Sequence, residues 1–96
     1  MSNESLQSIQ IFIEVAETQS FTISARRLGI SPSGVSKSIT RLEERLGIRL
    51  LSRTTRSVKA TEEGFVLLET YKQIINELQE AEEQIKRQRE DSFTSD

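Results

Sequence analysis

The sequence predicts a mainly α-helical fold: three short helices, a two-stranded β hairpin and a long C-terminal helix. Three observations lead there. Apolar residues recur at three- and four-residue spacings in several separate stretches, the period of a helix that buries one face. The stretches are punctuated by Gly29, Ser31-Pro32 and Gly47, residue types that stop and start helices. The chain has 96 residues, 34% apolar and only 5% aromatic, so it has room for one core built mostly from Leu, Ile, Val and Ala.

Met1 to Glu4 are expected to be loose. The first helix starts near Leu6, where Leu6, Ile9, Ile13 and Ala16, with Phe12 beside them, form one stripe. Ile11 and Val15 lie four apart on another side. A helix with two apolar sides is packed on both or leaves aliphatics for a second molecule, and Ile11 and Val15 are placed with the dimer contacts. Thr18 to Ser20 breaks the pattern. A second helix, Thr22 to Leu28, turns Phe21, Ala25 and Leu28 inward. Gly29 closes it in the left-handed conformation that costs glycine least, and Ile30 is expected to plug back into the core.

Ser31 caps a third helix, and Pro32 suits its first position, where no N–H is needed. Val35, Ile39, Leu42 and Leu46 form its buried stripe, and Gly47 ends it. Two candidate strands follow, about Leu50 to Arg53 and Ser57 to Ala60. Neither is stable alone, so a hairpin packed on the helices is expected. Thr61 caps the last helix, with Glu62 and Glu63 in the first turn, where the helix dipole favours acids. It is expected to run to about Arg89. The organisation predicted is a domain over 1–60, a linker or dimerisation helix over 61–89 and a flexible tail over 90–96.

The net charge of −2 conceals a partition. Residues 1–20 carry Glu4, Glu14 and Glu17 and no base. Residues 21–60 carry Arg26, Arg27, Lys37, Arg41, Arg45, Arg49, Arg53, Arg56 and Lys59 against only Glu43 and Glu44. Residues 61–96 are again acidic. A basic block between acidic flanks suits a polyanion-binding surface on a small domain. The second and third helices, joined by a tight Gly-containing turn, form a helix-turn-helix. On the third helix Ser33, Lys37, Thr40 and Glu44 lie opposite the apolar stripe, flanked by Ser36 and Arg41. The end that is small and rich in donors is the N-terminal one, which is the end that enters a major groove. There Ser33 and Ser36 reach bases or phosphates and Lys37 reaches the acceptors of guanine.

The run from Ser20-Phe21-Thr22 through Ala25-Arg26-Arg27-Leu28-Gly29-Ile30-Ser31-Pro32-Ser33 and Val35-Ser36-Lys37, on into Leu42-Glu43-Glu44-Arg45-Leu46-Gly47, resembles the N-terminal domain of LysR-type transcriptional regulators. Arg53-Thr54-Thr55-Arg56 and Thr61-Glu62-Glu63-Gly64 extend the likeness, which spans about residues 5–89. The resemblance implies a winged helix-turn-helix followed by a linker helix that pairs antiparallel in a homodimer. It implies base contacts from Pro32, Ser33 and Lys37, phosphate contacts from Thr22, Ser31 and Ser36, and wing arginines Arg53 and Arg56 at the adjacent minor groove. Thr40 and Arg41 complete the expected DNA-binding set. The implied partner is double-stranded DNA bearing an interrupted inverted repeat, with a T in one half and an A in the other. The expected location is cytoplasmic, on the nucleoid. Ile23-Ser24 stands where the family has small Ala-Ala, which suggests a locally altered core. Gly34, Leu51 and Ala60 also depart from the family pattern, without removing a contact residue. The family's effector-binding domain is expected to be missing from this chain.

In the last helix Leu68, Tyr71, Ile75, Leu78 and Ile85 follow a heptad interrupted by Glu82, with Leu67, Ile74 and Ala81 as an adjacent row. A helix of ~42 Å is longer than so small a domain can cover, so the heptad residues are assigned to dimerisation. Other functions are disfavoured. Without Cys or His there is no disulfide, no zinc site built on thiolate or imidazole and no Ser-His or Cys-His nucleophile. Gly29 and Gly34 have the offset of a phosphate-binding loop, but Val35-Ser36 follows where Lys-Ser or Lys-Thr is required. Adjacent acids such as Glu62/Glu63 and Glu82/Glu83 diverge around a helix, so no metal, no cofactor and no enzymatic activity is expected. No apolar run approaches the ~20 residues of a membrane span, and Met1 to Gln10, with no Lys or Arg, is not read as a secretory signal. A helical protein-interaction module whose basic block only solubilises it is the alternative. A steep fall of duplex affinity with salt would exclude that alternative.

Overall fold

The computed structural model describes residues 3–54 and 57–94, with side chains between residues 6 and 90. Its elements in chain order are α1 (Asn3–Thr18), α2 (Phe21–Leu28), α3 (Pro32–Leu46), β1 (Leu51–Arg53), β2 (Val58–Ala60) and α4 (Glu62–Thr94). The sequence cues for these boundaries act as capping groups. The hydroxyl of Ser20 accepts from the Ile23 N–H, that of Ser31 from Gly34 and that of Thr61 from Gly64, at 3.0–3.1 Å. Each satisfies one of the amide donors left over in a first helical turn. Gly29 and Gly47 close α2 and α3 at φ 70° and 71°, where a side chain would be strained.

α1 is the central element and packs on α2, α3, α4 and β2. Phe12, Val15, Val35, Ile39, Leu42, Leu50 and Leu51 are fully buried around it. Each such side chain contributes roughly 1.5–3 kcal/mol by leaving water. Tyr71 of α4 meets Phe12 edge to face, with ring centroids 6.2 Å apart. Ser24 is wholly buried, and its hydroxyl lies 2.6 Å from that of Thr18. Because Thr18 donates to the Ser20 carbonyl, Ser24 is the donor of that pair. The polar residue at this unusual position is thereby satisfied inside the core.

β1 and β2 are antiparallel, with Leu51 opposite Ala60 and Arg53 opposite Val58. Leu51 and Val58 are buried on the inner face, which anchors a hairpin too small to stand alone. Thr54 closes the tip: its hydroxyl donates to the Ser57 carbonyl and accepts from the Ser57 N–H.

Several expectations need correction. Ile11 and Val15, expected among the dimer contacts, are buried in this chain's own core with Leu68, and Tyr71 packs against it. α1 is enclosed on both apolar sides, so its second stripe has neighbours within the chain. Ile30 and Leu46 are 41% and 38% exposed, because the turn after Gly29 and the last turn of α3 run past the edge of the core. Residues 90–94, expected to fray, continue α4 to Thr94, which fits a stretch with no Gly or Pro to stop it. α4 is 33 residues long, and the molecule measures 61 × 25 × 22 Å. No helix among the described residues is long and apolar enough to cross a membrane.

Candidate nucleic-acid interface

Val35, Ile39 and Leu42 face inward, so the opposite side of α3 is turned to solvent. Pro32, Ser33, Lys37, Thr40, Arg41 and Glu44 are all exposed there, and Ser36 is half-buried. Ser36, Lys37, Thr40, Arg41 and Glu44 line one shallow, open groove. A second runs from Thr40 and Glu44 past Glu43, Gly47, Ile48 and Arg49 to Arg53. The two share Thr40 and Glu44, so the surface continues from the exposed face of α3 to the base of the hairpin. Thr22 and Ser31 are exposed at the starts of α2 and α3. The two grooves thus bring Ser36, Lys37, Thr40, Arg41 and Arg53 of the expected set onto one continuous surface.

The hydroxyls are already partly engaged, which fixes what they can offer. Ser31 accepts from Gly34 and lies 3.2 Å from the Ser33 hydroxyl, so toward an anion it acts as a donor. Thr40 donates to the Ser36 carbonyl at 3.0 Å, leaving its lone pairs to accept. This helix therefore presents donors at its N-terminal end, a cation at Lys37 and acceptors toward Glu44.

Arg53 does not simply project from the tip of the hairpin. Its register partner is Val58, so it leaves the strand on the face turned to the helices. Its guanidinium lies 4.9 Å from the centre of the Phe21 ring at the start of α2, a cation–π contact worth ~0.5–1 kcal/mol at an exposed site. Arg56, the other expected wing contact, lies outside the described residues. Arg27 pairs with Glu14 across α1 and α2 at 3.1 Å. That carboxylate oxygen has no aligned hydrogen bond, so the contact is one of charge alone.

Glu43 is the residue that the sequence reading undervalued. One of its carboxylate oxygens accepts from the backbone N–H groups of Leu50 at 2.9 Å and Leu51 at 3.2 Å. An acid seven residues before its backbone partner, across the Gly47 turn, carries no sequence signal of such a role. Among the described residues, no three acidic side chains converge to hold a metal ion.

On α4, Ile74 (44%), Leu78 (49%) and Ile85 (64%) are exposed. At ~100° per residue these three fall within ~40° of one another around the axis. Gly64, Leu68, Tyr71 and Ile75 form the stripe that meets the body, centred ~70° away. The seam expected from the heptad thus divides: Leu68 and Tyr71 belong to the core, Ile75 is half-buried at its edge, and Leu78 and Ile85 remain open.

Residues 6–65 match the family of bacterial regulatory helix-turn-helix proteins, lysR family. The chain is 43% identical over 81 residues to the HTH-type transcriptional regulator PgrR of Escherichia coli (strain K12), covering 84% of this chain and 27% of that protein. It is 37% identical over 82 residues to the HTH-type transcriptional activator AaeR of the same organism, covering 85% of this chain and 26% of that one. The chain therefore spans about a quarter of the length of these relatives. Among solved structures, the DNA-binding domain of BenM in complex with catB site 1 DNA superimposes with a TM-score of 0.81 at 36% identity. That alignment covers 85% of this chain and 91% of the BenM domain.

Proposed function

Because the chain belongs to the lysR family of bacterial regulatory helix-turn-helix proteins, we propose that it regulates transcription by binding double-stranded DNA sequence-specifically, with α3 in the major groove. The observation that carries this reading is the polarity of α3. Its buried stripe turns Ser33, Lys37 and Thr40 outward, with the donors at the N-terminal end, and that end is the one that reads bases in a helix-turn-helix. Likeness to a BenM domain solved with DNA supports it. Pro32, Ser33 and Lys37 contact bases, Thr22, Ser31 and Ser36 contact phosphates, Thr40 and Arg41 flank them, and the wing lies along the neighbouring minor groove. Arg53 reaches that groove by leaving Phe21, and Arg56 is the second arginine assigned to it.

The working unit is a homodimer joined through the outer half of α4, with Ile74, Leu78 and Ile85 in the seam and Ile75 at its margin. Two such domains read an interrupted inverted repeat whose half-sites are one or more helical turns of DNA apart. The protein works in the cytoplasm, on the nucleoid, by binding rather than catalysis. Selection of duplexes from a randomised pool by the purified chain tests the reading. The expected product is an inverted repeat bound with a steep inverse dependence on salt, since phosphate contacts release counterions. Failure to enrich any sequence, with no salt-sensitive duplex binding, would leave the protein-interaction module as the better account.

A further inference from the structure

We propose that Glu43 is a positioning residue for DNA binding, fixing the hairpin wing at a set angle to the reading face of α3. This rests on the duplex-binding reading above. Glu43 is on α3, half-buried, one turn beyond Thr40. Its carboxylate takes the N–H groups of Leu50 and Leu51 on a single oxygen, and Leu51 is the first residue of β1. Both leucines are fully buried, so without Glu43 these two part-buried donors would lose their protein partner, at a cost.

The same segment is gripped from the opposite side. The Thr61 N–H donates to the Leu50 carbonyl at 3.0 Å, and the Thr61 hydroxyl donates to the Arg49 carbonyl at 2.6 Å. Gly64 lies so close that a Cβ there would overlap the Leu50 carbonyl oxygen. Residues 49–51 are thus where α3, the hairpin and α4 are joined, and the Glu43 side chain brings α3 into that join. The strands rise ~3.3 Å per residue, so the hairpin tip stands ~10 Å from this anchor and a 10° pivot displaces it by roughly 2 Å. A binding site tolerates errors of only about 0.5 Å. The wing's reach to a minor groove therefore depends on this carboxylate, while the bases read by α3 do not.

The test uses the 96-residue chain with two duplexes: the one it selects from a randomised pool, and the same duplex shortened by the flanking pairs the wing would reach. Glu43→Ala is expected to weaken binding to the long duplex about tenfold, roughly the loss of one wing contact, and binding to the short one less than about twofold. Hydroxyl-radical protection of the flanking minor groove should fade, while methylation protection of guanine N7 in the major groove persists. Glu43→Gln, which keeps an acceptor oxygen, should stay within about threefold of the parent. If Glu43→Ala does not fold, Glu43→Asp retracts the carboxylate by one methylene and should show the same loss confined to the wing. Parent-like binding and flanking protection in Glu43→Ala or Glu43→Asp, or loss of both protections together, would overturn the proposal and leave Glu43 inert or merely structural. A parent chain that selects no duplex would instead overturn the DNA-binding reading itself, and this proposal with it.

Discussion

From Gly64 to Ile75, α4 lies against the body of the molecule: Leu68 is buried, Tyr71 stands edge-on to Phe12, and Ile75 is half-covered. From Asn76 to Glu90 every residue is exposed, including Leu78 and Ile85. The two halves carry apolar residues at the same helical spacing and of the same types, yet only the first finds its cover within the chain. Periodicity marks the side of a helix that is to be buried and is silent about what buries it. The inner half belongs to the folding unit, and its stability depends on one molecule. The outer half has an apolar row that no other described element covers, which is why it is assigned to association.

The largest expected effect breaks the inner half. Phe12→Ala removes the ring at the junction of α1 and α4 and should cost ~3–5 kcal/mol. Denaturant unfolding should show this loss in the single chain whether or not it associates. The next acts on the outer half alone. Leu78→Glu would place an unpaired carboxylate in the seam, which costs several kcal/mol or forces its protonation. Sedimentation at micromolar concentration should give a monomer whose circular dichroism still shows the folded body. An undisturbed dimer, or a parent that is itself monomeric, would remove the outer half from any assembly. Ser31→Ala deletes the cap of α3 and should lower stability by ~1 kcal/mol, read as a modest fall in the unfolding midpoint. Smallest of all, Arg27→Ala should cost no more than ~1 kcal/mol. Its side chain is 65% exposed, and solvent-screened pairs contribute little.

The same contrast explains what was legible in the sequence. Local chemistry was readable: Ser31-Pro32, Gly29, Gly47 and Thr61 mark helix ends because each acts on backbone groups within a few residues. The exposed face of α3 was readable for a similar reason, since Val35 and Ile39 dictate which side is left for Lys37. Contacts between distant segments were not. Ile11, Val15 and Leu68 have the composition of a seam and the location of a core. The bond from Glu43 to Leu50 and Leu51 spans a turn that sequence spacing does not encode. Arg53 sits over Phe21 because of the hairpin register, and a short strand pattern does not fix that register.

That α3 reads sequence, while α4 only sets the distance between two readers, is tested most directly through Lys37. The measurement is fluorescence anisotropy of the parent and Lys37→Ala on the selected duplex and on a scrambled duplex of equal length and salt. Lys37→Ala should lose ~1–3 kcal/mol on the selected duplex and clearly less on the scrambled one, with the dimer intact by sedimentation. Equal losses on both duplexes would make Lys37 a phosphate contact only and contradict base readout by this face of α3.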